Sequence, residues 1–320
     1  MKLHIVIVNY GCSDLAVDTL RSLESEIAAL GDAHVTVTDN KSPDDSVAKL
    51  RAAIDKNGWQ SWCTLLPLEK NGGFSYGNNG GIAPSLKSAN PPQYVLLLNP
   101  DTIVRAGGMT KLVEFMDANP KVGIAGSRLE DPDGTPQISA FKFPSIASEF
   151  DRGIRLGFVT KLLAKSIVAQ PIPSTQQPCD WVAGASMIIR REVFDSIGLM
   201  DEKYFMYFEE VDFCKQAGKA GWPCWYVPES RVVHLVGSVS QMSDQRKHRK
   251  RRPKYWFESR RRYFVKNHGW LYAALTDLAF VTGFAIWRLR RLLQRKADTD
   301  PPRFLLDSIE QSVFFKRASV

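Results

Sequence analysis

The run Leu96-Leu97-Leu98-Asn99-Pro100-Asp101 stops a series of aliphatics at a proline and an acid. Such a run reads as a strand of a parallel sheet, and open α/β sheets bind ligands just past the carboxyl ends of their strands, which is where Asp101 falls. A hard divalent cation, magnesium or manganese, takes one or two carboxylates completed by the phosphate oxygens of a nucleotide, so Asp101 is a candidate ligand. An Asx-Pro turn closing the strand accounts for the same three residues. A second acid stands in Asp39-Asn40-Lys41-Ser42, after an earlier β-rich run, and can accept hydrogen bonds from a base or ribose. Between them the segment from Asn71 to Gly81 is crowded with glycine and asparagine; small residues there let backbone N–H groups approach phosphate or base, and a flexible loop is the plain alternative. The first turn, Asn9-Tyr10-Gly11-Cys12-Ser13, has neither a Gly-x-Gly-x-x-Gly fingerprint nor a P-loop, which removes support for NAD binding and Walker-type ATP hydrolysis.

The elements that must carry these residues follow from periodicity. β-rich runs at 3–8, 35–38, 64–66, 94–98 and 122–125 alternate with helical spacing over 15–30 and 47–56, which predicts βαβ units and a mostly parallel sheet with right-handed crossovers. Residues 126–180, rich in Pro, Ser and Gln and holding Asp131-Pro132-Asp133-Gly134, predict a hairpin and then a mobile loop. Residues 182–189 read as one further strand, 193–197 and 209–220 as helices, and 226–234 as an extended run.

Composition sets the frame. At 320 residues and 44% hydrophobic content the chain suits one large domain or a domain with an appendage. It opens on a strand pattern with no cationic leader, an expectation of cytosolic residence. Five scattered cysteines, an odd number with no Cys-x-x-Cys pair, read as buried thiols, not a disulfide framework or zinc site. The net charge of +8 is localised: residues 241–296 hold 16 Lys and Arg against 3 Asp and Glu, leaving the rest of the chain at −5. A basic segment beside a mildly acidic domain points to an anionic surface, bilayer or nucleic acid.

In order and spacing, Asn9-Tyr10, Asp39-Asn40-x-Ser, Asn71-Gly-Gly-Phe with Asn78-Asn79-Gly80, and Asn99-Pro100-Asp101 are similar to the inverting glycosyltransferases of family 2. Trp181-Val-Ala-Gly-Ala, Phe205-Met-Tyr-Phe-Glu-Glu-Val-Asp and Val233-His234-Leu-Val-Gly-Ser continue the match over roughly residues 3–265, closest to rhamnosyltransferase-like members that build bacterial surface polysaccharides. The resemblance implies a GT-A fold, Rossmann-like, which the basic charge pattern of residues 241–296 extends with a C-terminal basic, amphipathic helical region. It divides the chain into a catalytic domain over 1–240, with nucleotide-sugar binding in 1–125 and the acceptor and base region in 126–240, and a basic helical region over 241–320. It further implies a dTDP- or UDP-linked sugar donor, Mn2+ or Mg2+, and a glycan or lipid-linked acceptor. In that picture Asn9 and Tyr10 border the nucleotide, Asp39 holds base or ribose, and Asn71, Gly73 and Asn78 close over the nucleoside. Asn99 and Asp101 occupy the metal motif, His234 completes the metal site, and Trp181 lines the sugar cleft. Glu210 takes the base position, with Glu209 and Asp212 in support; read alone, these three acids are a charged first helical turn. Three departures stand out: Asn99 replaces the first acid of the usual Asp-x-Asp, glutamate replaces the commoner aspartate at 210, and Gln216 lies where many members carry arginine.

The segment from Gly269 to Trp287 is apolar except for Asp277, with Arg260-Arg261-Arg262 before it and Arg288, Arg290 and Arg291 after it. An acid at the centre of a lone spanning helix costs about 2.5 kcal/mol or more. In-plane contact with the cytosolic membrane face is therefore expected ahead of packing on the catalytic domain or a homo-oligomer, and ahead of spanning. Separation of apolar centre from charged flanks argues against nucleic acid as the partner, because stacking on a strand requires interleaving. A sugar-phosphate nucleotidyltransferase is the other enzyme reading, opposed by the lack of Lys or Arg from Asn9 to Asp14.

Overall fold

The first half of the chain follows the expected alternation: β1 (Leu3–Asn9), α1 (Ser13–Leu30), β2 (Ala33–Asp39), α2 (Ser46–Asn57), β3 (Cys63–Pro67), α3 (Gly73–Leu86) and β4 (Tyr94–Leu98). β1 lies between β2 and β4, parallel to both, with β3 outside β2. These strands are aliphatic on both faces because both are covered. Ile5, Ile7, Val35, Val37, Leu96 and Leu98 join Leu20, Leu23 and Leu50 of α1 and α2 in one core layer. On the other face α3 lies so close to β1 that a Cβ at Gly77 would stand 2.5 Å from Val8 and one at Gly81 2.8 Å from Val6. These two glycines, one turn apart, serve helix-on-sheet packing, and not the approach to a ligand that their density suggested. Gly77→Ala is accordingly expected to lower stability by about 2 kcal/mol, overpacking outweighing alanine's better helix propensity. Gly218→Ala, where a Cβ meets nothing among the described residues, is expected to be neutral or mildly stabilising; urea midpoints compare the two.

The computed structural model describes residues 1–235 and 250–317. Beyond β4 come β5 (Thr102–Val104), α4 (Gly108–Ala118), β6 (Ile124–Glu130), β7 (Ala140–Phe141), α5 (Ile146–Ile154), α6 (Gly157–Leu162), β8 (Gln177–Cys179), β9 (Trp181–Val182), β10 (Ser186–Arg190), α7 (Arg191–Ile197), α8 (Glu209–Lys219) and β11 (Cys224–His234). The main sheet runs β3-β2-β1-β4-β10-β6-β11-β5, with β8 also on β11. It is parallel through β4 and mixed beyond, because β10 runs antiparallel to both β4 and β6, and β5 antiparallel to β11. The single strand expected over 182–189 is two: Val182 pairs with Ala140 in a separate two-stranded sheet, and Ser186 begins the return along β4. The turn between them, residues 183–185, becomes central to the site.

The chain divides into two compact units, one of Met1–Phe141, Pro171–Glu202 and Glu209–Gln241, the other of Lys142–Gln170, Lys203–Phe208 and Met242–Val320. The second contains α5, α6, α9 (Lys254–Leu293) and α10 (Phe304–Glu310). Helices α5 and α6 therefore replace the mobile loop expected after the hairpin. Ser145 starts α5 with a box closed by serine instead of Glu or Gln: its hydroxyl accepts from Ser148 N at 3.2 Å, and Ser148 Oγ accepts from Ser145 N at 2.8 Å. Gly153 and Gly283 let the α5 and α9 backbones meet, each lacking a Cβ that would lie 2.7–2.8 Å from a carbonyl oxygen of the other helix.

α9 is two helices joined at Gly269, whose φ of 83° and ψ of 169° are non-helical. Trp256, Phe257, Phe280, Phe284 and Phe304 form the core beneath it. Asp277 is not an isolated acid: it is buried, ion-paired with Arg260, and accepts from Val313 N at 2.8 Å. Arg260 also pairs with Glu149 at 2.8 Å, and Arg261 and Arg262 are buried as well. The arginine triplet thus belongs to this unit's interior, correcting its expected place on a membrane flank.

Candidate active site

The turn that carries Asp101 is held from three directions. Asn99 N donates to Ala185 O at 3.0 Å, Leu235 N donates to Asp101 O at 2.9 Å, and Thr19 Oγ1 of α1 lies 2.8 Å from Pro100 O and 2.7 Å from Thr102 O. Antiparallel pairing of β5 with β11 sets His234 opposite Thr102. Asp101 Oδ1 then lies 3.5 Å from His234 Nε2, and Asn99 Nδ2 lies 3.4 Å from the same nitrogen. Asp101 is buried, and its Oδ1 has no hydrogen-bond partner among the described residues. A buried carboxylate oxygen without a donor, facing an imidazole nitrogen, fits two ligands of a divalent cation whose other positions go to phosphate oxygens and water. Val236, Gly237 and Ser238, the rest of the His234 motif, lie outside the described residues.

The nucleoside candidates form two hydrogen-bonded groups. Asn9 Nδ2 donates to Asp39 Oδ2 at 2.7 Å, while Ser42 donates through N to Oδ1 at 2.9 Å and through Oγ to Oδ2 at 2.6 Å. A carboxylate has about four acceptor positions, so Asp39 keeps roughly one for a ligand. Asn40 Nδ2 donates to Asn71 Oδ1 at 3.1 Å and Gly73 O at 2.9 Å, tying the end of β2 to the start of α3. Asn78 is turned inward, donating to Phe74 O at 3.0 Å, and Asn79 clamps Met200 and Glu202. Tyr10 is exposed on the first turn. Trp181 stacks on Phe141 with centroids 4.2 Å apart.

α8 opens with the three acids. Glu209 and Asp212 are buried, Glu210 partly so, and Oε2 of each glutamate is buried without a partner among the described residues. Burial pushes Glu210 up to about 7 against the pull of the N–H groups at the helix start. Burial, and then the neighbouring Glu210 charge, push Glu209 well above the carboxylate range. Gln216 Nε2 donates to Asp212 Oδ1 at 3.3 Å, so a neutral amide contacts the acid where an arginine was missed. Both glutamates hold protons more tightly folded than unfolded; the stability this lends is full below about pH 4.5 and declines as pH rises above it, for Glu210 through about 7. Glu209→Gln should therefore melt higher than the parent at pH 8 and alike at pH 4, measured by calorimetry.

The turn between β9 and β10 brings the start of α8 and the Asn99–Asp101 corner together. A Cβ on Gly184 would lie 3.8 Å from Glu210 Cβ and 3.2 Å from Phe74 Cζ, while Ala185 receives the N–H of Asn99. Thr19, Asn40, Ser42 and Gly184 thus organise the site without having been candidate site residues. Asn40 and Ser42 stand within a motif, whereas Thr19, inside a helical pattern, carries no sequence signal.

This sheet, with acids beyond its strand ends, is the GT-A fold. A mannosyltransferase, PcManGT from Pyrobaculum calidifontis, solved in complex with GDP-Man and Mn2+, superposes with a TM-score of 0.57 at 14% identity, covering 91% of this chain and 75% of that one. The profile of Glycosyl transferase family 2 matches residues 4–198, more than half of the chain, and the chain belongs to that family. Relatives include the N-acetylglucosaminyl-diphospho-decaprenol L-rhamnosyltransferase of Mycobacterium tuberculosis, 30% identical over 177 residues. That match takes in 53% of this chain and spans 58% of the mycobacterial enzyme's length. Rhamnosyltransferase WbbL of Escherichia coli K12 is 28% identical over 244 residues, 73% of this chain and 83% of WbbL. Family membership favours neither a nucleotidyltransferase nor a nucleic-acid-binding protein.

Proposed function

We propose that this chain is an inverting glycosyltransferase that moves rhamnose from dTDP-rhamnose to a lipid-linked or polysaccharide acceptor in bacterial surface-glycan synthesis, working at the cytosolic membrane face. The observation that carries the reading is the turn at 183–185, with Glu210 beside Gly184 and the Asn99–Asp101 corner bonded to Ala185. The names of the two rhamnosyltransferase relatives support the choice of sugar.

Asp39, held by Asn9 and Ser42, accepts from the base or ribose, and Asn40 and Asn71, whose side-chain oxygens take the Gly72 and Gly73 N–H groups, fix the start of α3 beside the nucleoside. Asp101 and His234 hold Mn2+ or Mg2+, with Asn99 beside them. The bound cation supplies Lewis-acid neutralisation of the departing diphosphate. Trp181 offers a flat face to a sugar ring. Glu210 removes the proton of the acceptor hydroxyl as that oxygen attacks the anomeric carbon from the side opposite the diphosphate, which inverts the centre. Asp212 and Glu209 position the helix start that carries Glu210. A base poised near 7 is mostly ionised slightly above neutrality and still basic enough to accept a proton.

The test is a panel of nucleotide sugars with Mn2+, scored by melting temperature and by transfer to a polyprenyl-diphosphate-linked sugar. dTDP-rhamnose should raise the melting temperature and be consumed. A panel in which no nucleotide sugar protects the protein sinks the enzyme reading, and protection by another sugar alone sinks the rhamnose assignment.

A further inference from the structure

The second helix of α9, from Trp270 to Leu293, is apolar on two opposite sides, and its own unit covers one of them. Ala273, Phe280 and Phe284 are buried on the covered side. Leu271, Leu275, Leu278, Ile286, Leu289 and Leu293 are between 43% and 77% exposed. At about 3.6 residues per turn these six lie within roughly 60° of one line and extend over about 33 Å. The helix is long and apolar enough to cross a membrane, but the pairing of Asp277 with Arg260 and the packing of Gly283 on α5 commit its other side to protein.

The ends of the stripe are basic. Arg295 and Lys296 are exposed just past Leu293, and at the other end Trp270 meets Phe314 with ring centroids 5.9 Å apart, next to exposed Phe315, Lys316 and Arg317. Within Trp270–Leu293 the one acid is the buried Asp277. Two copies of the chain meeting through this face would set cationic end against cationic end in either direction, whereas an anionic lipid surface complements both. Exposed tryptophan and phenylalanine rings suit the headgroup boundary, and a helix that is apolar outward with basic ends lies in that boundary instead of crossing it.

We propose that the exposed leucine face of this helix is an in-plane docking surface for an anionic bilayer, with Trp270, Phe314 and Phe315 entering the headgroup zone at one end and Arg295 and Lys296 held to lipid phosphate at the other. This rests on the membrane placement proposed above and supplies its physical basis.

The experiment uses the full chain with two kinds of vesicle, phosphatidylglycerol mixed with phosphatidylcholine and phosphatidylcholine alone. The parent should sediment with the mixed vesicles, with salt-dependent affinity and a blue shift of tryptophan emission, and should bind neutral vesicles at least about tenfold more weakly. The double variant Leu275→Asp, Leu278→Asp should lose at least about tenfold in affinity for mixed vesicles, while its melting temperature and protection by nucleotide sugar stay parental because both residues are exposed. Parental vesicle binding by the double variant overturns the proposal. So does a parent dimer that this variant dissociates without any vesicle binding, which assigns the face to a second copy, and so does resistance to alkaline carbonate extraction, which assigns it to a spanning helix. Vesicle binding as expected, with no response to any nucleotide sugar, leaves the docking face standing and removes glycosyl transfer instead.

Discussion

Glu210→Gln is expected to bind the nucleotide sugar with parental affinity and to transfer it about a thousandfold more slowly, within the range for loss of a positioned general base. The amide matches the carboxylate in size, so the packing around Gly184 and Phe74 is kept while the ability to accept a proton goes. Parental transfer should rise with pH and level off above about 7, since burial holds Glu210 protonated up to that value; the residual rate of the variant should lack that step. Glu210→Asp keeps the chemistry but withdraws it by one methylene, and should retain intermediate activity with the pH step. Transfer by Glu210→Gln at the parental rate would assign the proton to another group.

Asp101→Ala is expected to abolish Mn2+-dependent protection by the donor and to reduce transfer to background, the largest effect anticipated at any single position. Asp101 is buried with one oxygen unpartnered among the described residues and 3.5 Å from His234 Nε2, the arrangement of a cation ligand. Asp101→Asn tests the charge with little change of shape and should weaken Mn2+ binding by at least about tenfold, in line with losing a hard anionic donor. Titration calorimetry with Mn2+, in the presence and absence of nucleoside diphosphate, measures this directly. If Mn2+ bound Asp101→Ala as it binds the parent, the ion would have to sit elsewhere.

The strand ends and their acids were legible because two independent patterns coincide there: aliphatic runs that only a doubly covered sheet can use, and carboxylates placed just after them. Asp39 at the end of β2 and Asp101 just past β4 fall where those patterns put them, whereas Glu209–Asp212 follows no strand and was legible as the charged first turn of a helix over 209–220. Residues that act through the third dimension were not legible. Thr19 reaches Pro100 O across 81 positions, and nothing in its helical surroundings marks it. Gly77 and Gly81 looked like ligand-facing residues because composition cannot separate a glycine that makes room for a nucleotide from one that makes room for Val8 and Val6. The break at 183–185 was hidden by an unbroken series of small and apolar residues, which favours strand on either side of a turn. α5 escaped because its cap pairs two serines in a Pro- and Ser-rich stretch. Asp277 reads as an isolated acid in the sequence because Arg260, 17 positions earlier, is returned to it only by the bend at Gly269.

Ala185 holds the Asn99–Asp101 corner, to which we assign the donor, and its neighbour Gly184 abuts Glu210, the proposed base. One short turn thus sets the position of both proposed reacting partners and so the gap an incoming alcohol must cross. New acceptors are best sought by remodelling the outer walls of the cleft, since bulk added at Gly184 would alter the spacing on which both halves of the reaction depend.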